Sequence, residues 1–98
     1  MSTEARSWWD RLLAEYGIAD DAGLLLMQTA LESFDRMRDC QAAVTRDGAM
    51  IKDRFDQLKP HPLLATERDA RAQMLSALKA LNLDLEPLRD GVGRPPGA

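Results

Sequence analysis

From Leu24 to Asp47 no proline or glycine interrupts the chain, and that run constrains everything built around it. Leu24, Met27, Leu31, Phe34, Met37 and Val44 recur at helical spacing as one apolar stripe, broken only at Gln41. Leu26, Ala30 and Cys40 widen it. Asp20 and Asp21 supply the N-terminal signal, Gly48 the stop, and Arg46 sits near the negative end of the helix dipole. At about 1.5 Å per residue the helix is on the order of 40 Å long. A chain of 98 residues makes one small domain, so such a helix is expected to need cover from another copy. Leu24, Met27, Leu31, Phe34 and Met37 are therefore candidate contacts between copies.

The flanking segments read as shorter elements. Ser2 or Thr3 caps a first helix in which Trp8, Leu12, Leu13 and Tyr16 recur and Gly17 ends the run. Trp8 and Trp9 are adjacent and cannot share one helix face, which makes both candidates for a subunit contact. Between Gly48 and Pro62, the flanks 49–53 and 57–61 enclose a charged turn at Arg54, Phe55 and Asp56. A β-hairpin or an extended loop fits there, since no Asn-Gly or Asp-Gly pair marks the turn. Pro62 suits the first turn of a third helix, with Ala70, Met74, Ala77, Leu78 and Leu81 on its apolar face and Glu67, Arg68, Arg71 and Lys79 solvated. Leu83, Leu85 and Leu88 are expected to strap the exit, and residues 89–98, rich in Gly and Pro, to form a flexible tail. The expected fold is all-α: a short N-terminal helix, a long central helix, a β-hairpin or loop, and a third helix. Residues 1–88 form a single helical oligomerisation domain.

Charge narrows the function. The net charge is −3, far from the basic profile of a stand-alone DNA-binding domain. Residues 1–47 hold five basic and nine acidic side chains, residues 48–98 eight and seven, so nucleic-acid contacts belong in the second half. There Lys52, Arg54, Lys59 and His61 fall in one short segment with Phe55 available for stacking; these five are the candidate DNA contacts. On the central helix Arg36, Arg38 and Arg46 are expected to be solvated or paired with Asp35, Asp39 and Asp47. Arg89, Arg94, Pro95 and Pro96 make an extended basic peptide suited to a groove on another protein.

Enzymatic chemistry finds no support. Gly91-Val92-Gly93-Arg94 lacks the lysine and the following helix of a phosphate loop. His61 is the sole histidine and Cys40 the sole cysteine, so neither a zinc site nor an intrachain disulfide is expected. Asp53 and Asp56 read as a solvated turn rather than a metal site. No cofactor, metal or membrane partner is expected. The N-terminus has no apolar run of signal length, and the protein is expected to be soluble and intracellular.

A succession of short motifs adds a resemblance. Trp8-Trp9, Glu15-Tyr16-Gly17, Asp47-Gly48, Lys52-Asp53-Arg54-Phe55 and Lys59-Pro60-His61-Pro62 follow one another in order. Ala77-Leu78-Lys79-Ala80-Leu81-Asn82-Leu83-Asp84, Glu86-Pro87 and Gly93-Arg94-Pro95-Pro96 complete the series. Together they resemble the small terminase subunits of tailed phages, prophages and gene-transfer particles over roughly residues 8–96. The resemblance implies a subunit without catalytic activity that assembles into rings in the bacterial cytoplasm. It further implies that such rings help select DNA and deliver it to the large terminase, which carries the ATPase and nuclease. The large subunit is then the implied partner of Arg89, Arg94, Pro95 and Pro96. Many such subunits carry a separate N-terminal helix-turn-helix region; here the first helix begins almost at Met1, which counts against direct sequence-specific recognition by this chain. Two other readings stay open: a generic helical interaction or regulatory module acting as a dimer, and a small hydrolase using Asp53, Asp56 or His61.

Overall fold

The computed structural model describes residues 1–83. Three helices and a two-stranded antiparallel hairpin follow in the order α1 (Thr3–Tyr16), α2 (Asp21–Asp47), β1 (Met50–Lys52), β2 (Leu58–Pro60), α3 (Leu63–Ala80). Each helix boundary has a local cause. Ser2 Oγ accepts from the Ala5 N–H at 2.9 Å and opens α1, while Gly17, at φ 62°, closes it in the left-handed conformation that glycine adopts without strain. Asp20 caps α2 through the Gly23 N–H at 2.9 Å. Gly23 has a second reason to be glycine, because a Cβ there would lie 2.9 Å from both Ile18 Cγ2 and Asp20 Oδ1. Gly48 ends α2 with its N–H on the Val44 carbonyl at 2.7 Å.

α2 is the spine. α3 packs along it extensively and α1 covers a shorter length, both running antiparallel to α2. The head of α1 is tied down by polar contacts: the Ser2 amide and hydroxyl both donate to Asp35, and Arg38 pairs with Glu4 at 3.2 Å. Ala5, fully buried, lets the two backbones approach closely.

The core consists of Ala5, Met27, Leu31, Phe34, Met37 and Ala70, with Trp9, Leu12, Leu13, Ile18, Met74 and Leu81 packed around it. This corrects the expectation that the long helix needs another copy to shelter its stripe. Met27, Leu31, Phe34 and Met37 are all sealed by the chain's own α1 and α3. With 14 and 18 residues, these helices supply about 21 and 27 Å of cover to one spine of about 40 Å. Leu24 remains only partly covered, and Trp8 is 39% exposed with the Arg11 guanidinium 4.8 Å from its ring centre. Cys40 is buried as an ordinary apolar helix residue.

Glu67 also departs from expectation. It is buried on the inner side of α3, where Gln41 Nε2 donates to its carboxylate at 2.9 Å and Arg71, one turn on, pairs with the same oxygen. Gln41 is the residue that interrupts the apolar stripe of α2, and Glu67 is its partner. The two hydrogen bonds, Gln41 first, hold the Glu67 carboxyl below its ordinary range, so it stays ionised and satisfied. No helix among the described residues is long and apolar enough to cross a membrane.

Candidate nucleic-acid interface

The segment between α2 and α3 folds as the hairpin rather than the loop. Met50 pairs with Pro60, Ile51 with Lys59 and Lys52 with Leu58. The turn needs no Asn-Gly pair because it is a three-residue loop, with Asp56 in the left-handed conformation at φ 64°. Asp53 builds it: its Oδ1 accepts from the Phe55 N–H at 2.7 Å and the Gln57 N–H at 3.0 Å. These amide donors, Gln57 foremost, lower the Asp53 pKa and keep its carboxylate charged.

Directly opposed residues share a face, so Met50, Lys52, Leu58 and Pro60 line one side and Ile51 and Lys59 the other. The first side is open, and Phe55 at the tip is 67% exposed with the Arg54 guanidinium 5.0 Å from its ring centre. Lys52 meets Asp56 at 3.3 Å and Lys59 meets Asp53 at 3.4 Å. Both lysines are well exposed, and exposed pairs of this kind contribute on the order of 0–1 kcal/mol. The two lysines, one on each strand, are thus held by contacts that a phosphate can displace at little cost, and Arg54 at the turn rests on the Phe55 ring. Lys52, Arg54, Phe55 and Lys59 are all exposed on the hairpin, with Lys52 and Lys59 on its opposite faces.

His61 is not among them. Its side chain is only 6% exposed and sits at the base of the hairpin, with Nε2 2.9 Å from Asp47 Oδ2 and Nδ1 accepting the Leu63 N–H at 3.0 Å. Because Nδ1 is the acceptor, the proton lies on Nε2 and is donated to Asp47. The His61 backbone N–H adds a bond to the Ala49 carbonyl at 2.7 Å. Pro62, the residue before α3, has no side chain with which to cap it, and His61 does that work instead. The histidine is therefore a clasp joining the end of α2, the hairpin and the start of α3; its burial removes it from the candidate DNA contacts.

Asp47 completes the clasp. A carboxylate at the C-terminus of a helix opposes the dipole, and Arg46 and His61 offset this. Their hydrogen bonds, Arg46 first, lower its pKa from 3.8 to about 2. The folded-state value is depressed, so the stabilisation is complete above about 3.8 and is lost as the pH falls toward 2. Acid unfolding followed by circular dichroism is expected to contain a titration in that window, absent from Asp47→Asn. An unchanged acid limb in the variant would remove Asp47 from this role.

Among the described residues no group of three or more His, Cys, Asp or Glu side chains is placed to hold a metal ion. Arg89, Arg94, Pro95 and Pro96 lie outside the described residues, as do Leu85 and Leu88 of the expected strap. Sequence reasoning did not single out Leu25, Met50, Leu58 and Leu75 as exposed apolar side chains. The strand alternation places Met50 and Leu58 on one face, and in Leu24-Leu25-Leu26 one member must point outward on any helix.

No curated protein and no solved structure matches the chain. A family model described as phage terminase, small subunit, matches residues 5–87, spanning all three helices and the hairpin. The chain belongs to the phage terminase small-subunit family.

Proposed function

We propose that this protein is a non-catalytic packaging adaptor that brings viral or gene-transfer-particle DNA to the large terminase. The observation that carries the reading is the family match, which contains the cation-bearing hairpin within its span. In this reading the chain works as a homo-oligomeric ring in the cytoplasm of a bacterial host. Trp8, Trp9 and Leu24, the interface candidates with accessible surface, lie at contacts between copies. Lys52, Arg54 and Lys59 meet the phosphates of double-stranded DNA, with Phe55 against the backbone or a base. A single hairpin carries three cations against two carboxylates, a weak site, but ring symmetry repeats it and the contacts act together. Arg89, Arg94, Pro95 and Pro96 dock on the large subunit, which supplies the ATPase and nuclease. Light scattering of the purified chain at micromolar concentration is expected to give one defined oligomer, and adding it is expected to change the large subunit's DNA-dependent ATPase rate. A monomer that leaves that rate untouched would overturn the proposal.

A further inference from the structure

α1 and α3 both pack on one side of α2, where Met27, Leu31 and Phe34 are buried. Leu25, two residues before Met27 and so about 200° around the helix, faces away from that core and is 65% exposed. Asp21 lies four residues before Leu25 and Glu32 seven after it, separations that keep all three on one helix face. Both acidic residues are exposed, and Glu32 accepts from the Gln28 amide one turn earlier at 3.1 Å. The back of α2 is thus a leucine between two carboxylates.

α3 carries the opposite pattern on an outward flank. Leu75 is 55% exposed and, with Leu12 and Leu78, walls an apolar cavity of about 340 Å³ that Lys79 also lines. Lys79 lies four residues after Leu75 and Arg68 seven before it, again on one face. Both cations are exposed, and the Arg68 pair with Asp69, at 4.0 Å on the surface, contributes little.

Set antiparallel, the two faces fall into register. With Leu25 of one copy opposite Leu75 of another, Glu32 meets Arg68 about 10.5 Å along the helices, and Asp21 meets Lys79 about 6 Å the other way. The reverse orientation sets Glu32 against Asn82, and Asp21 against Arg71, whose guanidinium already holds Glu67. Only the antiparallel arrangement pairs both charges and the two leucines together.

We propose that a second copy of this chain docks the back of its α2 on the outward flank of α3, through Leu25 on Leu75, Glu32 on Arg68 and Asp21 on Lys79. The proposal rests on the homo-oligomeric reading above and names its contact. Unlike faces meet, so each docked copy keeps one free face of each kind and the contact repeats from copy to copy. Because α2 and α3 are antiparallel within a chain, neighbours point the same way and all hairpins lie at the same end of the assembly.

The test is charge exchange, read by light scattering of the full chain across a dilution series. Glu32→Arg and Arg68→Glu are each expected to raise the concentration needed for half-assembly by roughly tenfold or more, since each sets like charges together. The two combined restore the opposite pairing and should return that concentration to within about threefold of the unaltered chain. Leu25→Ser weakens assembly without an exchange partner to rescue it. All four positions altered or answered here are solvent-exposed in one chain, so helical circular dichroism is expected to stay intact throughout. An oligomer that tolerates both single reversals, or that the combined exchange fails to restore, would overturn this contact while leaving self-association standing. An unaltered chain that stays monomeric would overturn both.

Discussion

Phe34→Ala is expected to lower the midpoint of thermal unfolding by roughly 15–30 °C, the largest loss from any single truncation in this protein. Phe34 sits where the three helices meet, 7% exposed, in the core cluster with Leu31, Leu12 and Met74 and beside a cavity that Trp8 and Leu78 also line. Removing a buried phenylalanine ring costs about 3–5 kcal/mol, since transfer energy and the unfilled cavity add. A domain of this size has only about 5–15 kcal/mol of stability in total. The ring also carries the Arg38 guanidinium, 5.0 Å from its centre, so the contact linking Arg38 to Glu4 at the head of α1 loosens with it. Because the cover over Phe34 comes from the same chain, the difference in Tm between variant and parent should not depend on protein concentration. Melting curves at two concentrations well apart check this. A difference that shrinks on dilution would mean that the ring is sheltered by a second copy.

The concentration test bears on one of the places where the sequence misled. The boundaries of α1 and α2 were legible, because Ser2, Gly17, Asp20 and Gly48 each satisfy or release backbone groups locally, while between α2 and α3 hairpin and loop stayed open. The stripe on α2 was legible too, but what covers it was not. Helical periodicity says that Met27, Leu31 and Phe34 face something, and is silent on whether α1 and α3 or another copy provides it. Polar pairing across elements is hidden for the same reason. Gln41 looked like a flaw in the stripe and Glu67 like a solvated residue, and only their meeting across α2 and α3 makes sense of both. His61 is the sharpest case. By composition it belongs with Lys52, Arg54 and Lys59, yet Pro62 leaves the start of α3 uncapped and Asp47 lies at the end of α2. The imidazole is drawn inward between them.

With His61 removed, the cationic set at the hairpin is Lys52, Arg54 and Lys59, and replacing all three by glutamate is expected to remove the salt dependence of DNA binding. Each phosphate neutralised on duplex DNA contributes about −0.9 to the slope of log affinity against log salt. Three per engaged hairpin give about −2.7, so the unaltered protein should lose roughly 40-fold in affinity between 50 and 200 mM salt for each hairpin in contact. The variant should retain little of that slope. Reversal also sets new carboxylates beside Asp56 and Asp53, at the positions where Lys52 and Lys59 now pair with them. The glutamine set, Lys52→Gln, Arg54→Gln and Lys59→Gln, separates that repulsion from the loss of cations and should show an intermediate weakening. Folding ought to be spared in the glutamine set, because the two lysines are about 60% exposed and contribute little through their pairs. Phe55→Ala, by contrast, should weaken binding by roughly 1–3 kcal/mol with the salt slope intact if the ring stacks on a base, and leave affinity unchanged if it does not. Mobility-shift titrations at several salt concentrations distinguish these outcomes. If the unaltered protein fails to shift duplex DNA at 50 mM salt, or the glutamate set keeps the parental slope, the hairpin is not the DNA-facing element.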